Sequence, residues 1–518
     1  MSFILNRRDF LKSTAALSMS FAGGCNYFAK NEPCKRKYNV LFILSDDQGY
    51  GQLGAFSDTF DSKDIHEISV EEAERWGYSK DKAISAAANC TPNIDKLAKE
   101  GVRMLNAYAA PSCVPSRGAF ITGKYPQKYG IYDNIDIYAN GLPDEAFSLV
   151  KLLQKEGYAT SLIGKWHLGQ KREVYGEDFV AAEGKHPLDQ GFDYYFGFDR
   201  AETTYYDSPY ISRNRDFGIK TDGYLTDHFT DEAIGFIDRS VDSGKPFFTF
   251  LSYNAPHNPI SKPPEKYCKF TLDTGNEWLD NFYNTIYAMD CGIGRVIEHL
   301  KNKGIEEDTL VVFSSDNGAS WNFPMPANGA LRGYKRQFYE GGHKVPMIFR
   351  HKGKITAGQD CRDFVSIMDI IPTALDISGV TIDEGLDIDG LSLKGLLYEG
   401  QRLGERTFYW AAPMGTSSTE EHRANVRKAR QELDGVSVWS LNLPGWCIIR
   451  GEWKLVDGGD GNQRLYNLVD DIAEQNDISH KHPDIVKKLK SAYIGWRKGL
   501  PEPKMWNKEY WQRTLPNM

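Results

Sequence analysis

The 518-residue sequence is most restrictive in what it leaves out. Its eight cysteines, at positions 25, 34, 90, 113, 268, 291, 361 and 447, are scattered, with no Cys-x-x-Cys pair. That spacing excludes a zinc ribbon and a disulfide-dense scaffold, while one or two disulfides in an oxidising compartment stay open. A basic excess is missing too. With 62 Lys+Arg against 70 Asp+Glu, the formal net charge is -8, so no nucleic-acid partner is expected. A local cationic pocket for an anion remains compatible with that balance. There is no internal repeat, no low-complexity tract and, past the N-terminus, no apolar run long enough to cross a bilayer. The remainder is ordinary globular composition, 41% hydrophobic and 25% charged, enough for one large core and a smaller domain. The 28 Tyr and 11 Trp suit a packed core first and sugar-stacking surfaces second.

The N-terminus carries a targeting pattern. Arg7 and Arg8 precede Phe10, Leu11 and Lys12, and an apolar, small-residue stretch runs from Ala15 to Ala22. This resembles a twin-arginine export signal. The stretch ends in Ala22-Gly23-Gly24-Cys25, which resembles a bacterial lipoprotein processing site. Residues 1–34 are therefore expected to be an export signal and tether. The mature protein would be periplasmic or at the cell surface, with Cys25 as the position for a lipid anchor.

From residue 38 onward, short β-rich apolar runs alternate with helical patterns, which predicts an α/β fold with a largely parallel or mixed sheet. Strands are expected at Tyr38–Leu44, Val102–Tyr108, Tyr158–Ile163, Phe247–Leu251, Thr309–Phe313 and Val345–Arg350. A helix opens at Thr91-Pro92, with Thr91 as N-cap and Pro92 in the first turn. Polar residues recur just past the carboxyl ends of the strands: Asp46-Asp47, Lys165-Trp166-His167, Asn254 to His257, and Asp316-Asn317. In open α/β sheets that edge binds ligands. Glu399-Gly400-Gln401 reads as a linker, dividing a catalytic domain (35–400) from a C-terminal α+β subdomain (401–518). The latter is expected to be a small antiparallel sheet, with a hairpin at Trp446–Arg450 and Trp453–Val456, and one helix over Pro483–Lys498.

Cys113-Val114-Pro115-Ser116-Arg117 holds the sharpest chemical signal. Pro115 suits a first helical turn, so Cys113 is placed at a helix N-terminus, where amides and dipole favour an anion. Arg117 lies one turn on, along the same side. A lone buried thiol would read as packing. However, this run, followed by Thr122-Gly123-Lys124-Tyr125, closely resembles the signature of the formylglycine-dependent sulfatases of the alkaline phosphatase superfamily. Phe120-Ile121 replaces that family's usual Leu-Leu, a packing change.

The resemblance implies an alkaline-phosphatase-like α/β/α sandwich with a smaller C-terminal sheet-plus-helix domain. It implies that a maturase oxidises Cys113 to formylglycine, whose hydrate attacks sulfur with one hydroxyl and expels sulfate with the other. Asp46, Asp47, Asp316 and Asn317, together with the modified Cys113, match the family's single calcium site. Gly164-Lys165-Trp166-His167-Leu168-Gly169 is a further specific match: Lys165 would bind a sulfate oxygen, and His167 would act as base in the elimination. His257 would protonate the leaving group, and Lys335 would be the second sulfate-binding lysine, with Tyr334 where the family more often has Gly. Arg117 completes the cationic set. His343, in Glu340 to Pro346, also follows the family pattern but is given no catalytic role.

Two longer segments, Ala55–Asn89 and Pro413–Leu443, are candidate specificity elements, as are Asp199, Arg200, Tyr205 and Tyr206. The basic run at His422, Arg423, Arg427, Lys428 and Arg430 reads first as a solvated helix face. With export, the resemblance favours a sulfated oligo- or polysaccharide as substrate. The alternatives are a phosphodiesterase or phosphonate monoester hydrolase of the same superfamily, or a non-catalytic glycan-binding lipoprotein in which Cys113 stays a thiol.

Overall fold

The computed structural model describes residues 37–132, 141–169, 181, 183–199, 204–411, 445–458 and 462–501. The N-terminal signal, Cys25, Arg200 and the whole 413–443 segment lie outside the described residues. Among the described residues, no helix is long and apolar enough to cross a membrane.

Ten strands form the main sheet: β1 (Asn39–Ser45), β2 (Val102–Tyr108), β3 (Ala159–Lys165), β4 (Tyr194–Phe198), β5 (Ile211–Arg213), β6 (Asp216–Phe217), β7 (Phe247–Ser252), β8 (Thr309–Ser315), β9 (Met347–Arg350) and β10 (Gln359–Ser366). Their order is β10-β2-β9-β8-β1-β7-β3-β4-β5-β6. The centre, β8 to β4, is parallel. β9 runs antiparallel to both neighbours, so the sheet is mixed. The expected strands are all present, within a residue or two.

Strand β1 shows why the sheet is covered on both faces. Its apolar run is continuous, as buried parallel strands require. Leu41 and Ile43 join one core with the helices Leu225–Asp242 and Glu277–Asn302. Val40, Phe42 and Leu44 join the other, with the helix Cys113–Thr122. Alternation along one strand thus builds two helix layers. Phe120 lies 4.5 Å from Phe42 and 4.8 Å from Phe250, ring to ring. Each such pair contributes about 0.5–1.5 kcal/mol and seats the Cys113 helix on the sheet.

The helix Pro92–Lys99 starts at Thr91 as expected, but Thr91 makes no side-chain cap bond. Asp290, from the helix Glu277–Asn302, accepts from the Asn93 and Ile94 amides instead. The cap therefore comes from a residue nearly two hundred positions away.

A four-stranded antiparallel sheet follows: β11 (Thr407–Ala411), β12 (Trp446–Arg450), β13 (Trp453–Asp457) and β14 (Gln463–Asn467). The predicted hairpin is β12–β13, and the helix Pro483–Arg497 packs on it, with Tyr493 stacked on Trp446. Its other face meets the main body: Trp410 Nε1 donates to Ala109 O, just past β2. Gly400, at φ 66°, ends the helix Lys394–Glu399, so the chain turns where the sequence marks a linker.

Candidate active site

The parallel registers set the ends of the central strands side by side. Ser45 on β1 is level with Ser315 on β8, and Ser252 on β7 is level with Leu44 and Gly164. Everything just past those residues converges on one edge. Close approach there depends on Gly164: a Cβ would sit 1.8 Å from Ser252 O, and its φ is +107°. Two non-glycine residues of the site, Asp47 and His167, hold positive φ of 66° and 63°. Such conformations persist only where surroundings enforce them.

Cys113 opens the helix Cys113–Thr122, as predicted, and is fully buried. Its Sγ lies 3.4 Å from Asp46 Oδ1 and 3.6 Å from Asp47 Oδ1. Arg117, one turn along, donates Nε and Nη2 to Asp316 Oδ2 at 3.2 and 2.9 Å. Its Nη1 donates to Lys165 O and Ser252 Oγ, both at 2.7 Å. The Lys165 ammonium donates to Asp46 Oδ2. Lys335 Nζ donates to Asp47 Oδ2 at 2.8 Å and lies 3.2 Å from His257 Nε2. His257 Nδ1 is 2.6 Å from Asn258 O, which fixes the proton on Nδ1 and leaves Nε2 toward Lys335 and Asp47. The Asp47 amide donates to Asp316 Oδ1, and Asn317 Nδ2 donates to Asp47 Oδ1. Asp46, Asp47, Cys113, Arg117, Lys165, His257, Asp316, Asn317 and Lys335 thus form one contiguous cluster.

His167 is buried, and neither ring nitrogen has a hydrogen-bond partner. An orphaned buried imidazole marks a position that awaits a partner. Burial, then the positive charges of Lys165 and Arg117, hold it well below the usual histidine range, so it is neutral and able to accept a proton. Burial and the facing Asp316 push the Cys113 thiol well up. An inert, protonated thiol at the centre of a charged site is a poor nucleophile. Burial raises the Asp46 carboxyl, but Lys165, His257, Arg117 and Lys335 together outweigh it and hold the group well below its ordinary value. Asp316 goes the other way, pushed up to about 7 by burial and the Asp46 charge. Three acids packed this closely beside three basic side chains make a site that binds both a cation and an anion.

The donors suit a hard cation. Asp46, Asp47, Cys113 and His257 offer ligand atoms within 4.8 Å of one another, and the buried Asn317 Oδ1 has no hydrogen-bond partner. Carboxylate and amide oxygens fit calcium or magnesium; a cysteine sulfur does not. An oxygen carried at position 113 would complete the set.

The sequence reading missed Ser252, which fastens Arg117, and Ser320, whose Oγ lies 3.3 Å from Asp47 Oδ2. Ser252 sits at a strand's carboxyl end, like Ser45 and Ser315, and that repeated position was the available signal. Tyr205 and Asp199 are buried rather than lining an open wall. Tyr205 OH donates to His257 O, so it supports the histidine loop from beneath. His343 is buried against Trp410, with Nε2 3.1 Å from Phe338 O, away from the cluster. None of the six described cysteines forms a disulfide.

The family model described as Sulfatase matches residues 38–380. The chain is 36% identical over 483 residues to the uncharacterized sulfatase YdeN of Escherichia coli (strain K12), covering 88% of this chain and 85% of that protein. It is 30% identical over 420 residues to the human N-acetylgalactosamine-6-sulfatase, covering 75% of this chain and 71% of that one. The crystal structure of Ps i-CgsB in complex with k-i-k-neocarrahexaose superposes with a TM-score of 0.74 at 26% identity, covering 93% of this chain and 98% of that chain. The α/β sandwich is the alkaline-phosphatase-like fold of such enzymes.

Proposed function

This chain belongs to the sulfatase family, and from that premise we propose that it is an exported enzyme that removes sulfate from a sulfated carbohydrate, using a formylglycine made from Cys113 and one calcium ion. Hydrolysis of sulfate esters follows from the family. The observation that carries the finer reading is the convergence of Cys113, Asp46 and Asp47 with the three basic side chains of Arg117, Lys165 and Lys335. The double-arginine N-terminus supports export, with Cys25 placed for a lipid anchor. The carbohydrate preference is supported by the hexasaccharide that Ps i-CgsB binds and by the galactosamine sulfate named for the human relative.

Asp46, Asp47, Asp316 and Asn317, with the oxygen of the modified residue 113, would hold the cation, which supplies positive charge to orient the sulfate and acidify the attacking hydroxyl. Formylglycine supplies a hydrated aldehyde as nucleophile in place of an inert thiol. The chain's own residues do the rest. Lys165, Lys335 and Arg117 surround the position where negative charge spreads over the nonbridging sulfate oxygens, and they are held there in advance by carboxylates. His257 keeps its own proton on Nδ1, so the proton for the leaving oxygen has to reach Nε2 first, and the Lys335 ammonium 3.2 Å away is placed to supply it. Neutral His167 takes the proton from the hydroxyl at position 113 when sulfate departs. The buried edge excludes water that would screen these charges.

Two measurements test this reading. Mass spectrometry of the peptide around residue 113, from protein co-expressed with a maturase, should show thiol converted to aldehyde. Activity on sulfated oligosaccharides should exceed that on phosphodiesters and vanish in Cys113→Ala. An unconverted thiol in protein that is nevertheless fully active would overturn the mechanism. A preference for phosphodiesters would favour the hydrolase alternative, and an unconverted thiol with no activity on any ester would favour a glycan-binding protein.

A further inference from the structure

A cavity of about 360 Å³ lies against loops that border the site, and the chemistry above does not use it. Trp76, Trp278 and Trp321 line it, with Arg75, Asn276 and Asn322 between them. Trp76 ends the helix Glu67–Trp76, inside the long Ala55–Asn89 segment. Trp278 lies in the first turn of the helix Glu277–Asn302. Trp321 directly follows Ser320, whose hydroxyl faces Asp47. Asn258, the residue after His257, also borders the cavity and accepts a hydrogen bond from Trp278 Nε1. The cavity and the catalytic cluster therefore share two loops.

Exposure separates these rings from ordinary packing. Trp76 is 42% and Trp321 57% exposed, and no other tryptophan among the described residues is comparably exposed. Leaving large apolar rings in water costs free energy unless something covers them. Both fall on this one cavity. Trp278 is the fixed ring: Phe282 and Phe323 pack against it at 6.1 and 6.4 Å. Glu72 accepts from Arg75 Nη1 and Trp76 Nε1 at 3.2 and 3.1 Å, which orients both side chains. Flat aromatic faces interleaved with amides and a guanidinium match the two surfaces of a pyranose, its C–H face and its hydroxyl rim.

We propose that this tryptophan-lined cavity is a carbohydrate subsite that holds a sugar ring of the oligosaccharide next to the sulfated unit in the catalytic cleft. This rests on the sulfated-carbohydrate reading above and adds the residues that select chain length. The reaction then prefers oligosaccharides because the neighbouring ring is held by Trp76 and Trp321.

The test measures kcat/KM of the converted enzyme on 4-nitrophenyl sulfate and on sulfated di-, tetra- and hexasaccharides from carrageenan and chondroitin sulfate. Wild type should prefer a tetra- or hexasaccharide over the aryl sulfate. In the Trp76→Ala/Trp321→Ala double variant, the ratio of oligosaccharide to aryl sulfate kcat/KM should fall by about tenfold, carried in KM. Trp321→Phe should recover much of the ratio, and Val469→Ala, an exposed apolar change outside the cavity, should leave it unchanged. An unaltered ratio in the double variant overturns the subsite while leaving the sulfatase reading intact. A wild type that hydrolyses only the aryl sulfate overturns the sulfated-carbohydrate reading and the subsite together. No hydrolysis of any sulfate ester by fully converted enzyme sinks the parent reading, and the subsite with it.

Discussion

If the proposed calcium site is right, Lys165 and the ion would compete for the same carboxylate, and the competition can be measured. The Lys165 ammonium and Asp46 are paired, with both side chains 0% exposed. Replacing Lys165 by Met keeps the volume and removes the charge. In protein stripped of cation, Asp46 would then face Arg117 at 3.8 Å as its remaining basic neighbour within ion-pair distance. Breaking a buried pair in this way costs about 3–5 kcal/mol. With calcium bound at Asp46 and Asp47, the ion itself supplies the missing positive charge, so the same substitution costs less. If the ion recovers only a third of the loss, ~1.4 kcal/mol, calcium affinity rises about tenfold. Lys165→Met is therefore expected to bind calcium more tightly than wild type while losing sulfate hydrolysis. Calorimetric titration of metal-stripped protein reads the affinity directly. The calcium-induced rise in melting temperature, larger in the variant, provides a second readout through linkage. Lys335→Met, acting on Asp47 from a slightly exposed position, should shift affinity in the same direction by less. Equal or weaker calcium binding in Lys165→Met refutes the reasoning, because the lysine would then be no competitor for the carboxylate.

Iodoacetamide should label Cys268 and Cys361 in native, unconverted protein while sparing Cys113, whose thiol is fully buried and pushed up by burial and Asp316; the same burial predicts that a maturase converts the chain before it folds, and rapid native labelling or conversion of residue 113 would contradict this. Gly164→Ala should cost about 3 kcal/mol in a denaturant titration, since its Cβ meets Ser252 O at 1.8 Å and φ is +107°, and near-wild-type stability would show that β3 and β7 can part. His351 is held down to about 4, mainly by burial, partly offset by the Glu307 carbonyl it faces. Its folded pKa is depressed, so the unfolded chain takes the proton first as pH falls below about 6.5. The stability it confers is complete above that pH and lost toward about 4. His351→Gln should therefore lose less stability on going from pH 6 to 5, by up to ~1.4 kcal/mol per pH unit; parallel urea-derived stability profiles for the two proteins would reject the assignment.

The catalytic edge was readable because its information is local. Each strand is a short apolar run, and the polar residues that follow it within two or three positions are the ones delivered to the site, so Asp46-Asp47, Lys165 and Asp316-Asn317 could be placed before any partner was known. His257 and Lys335 were placed by motif, yet their 3.2 Å contact was beyond reach, since nothing in either segment encodes the other. The same limit hid Asp290 as the cap of the Pro92 helix, because Thr91 satisfies every local rule for that role. It also explains the Ala55–Asn89 segment. Its helices could be expected to matter for specificity, but Trp76 gains meaning only when the fold brings Asn258 and Trp321 beside it, from loops that already carry His257 and Ser320. Catalytic chemistry here is written in contiguous motifs set by strand ends. In the proposed subsite, substrate selection would depend on the company that distant loops keep, and that company is set by the sheet order rather than by neighbouring sequence.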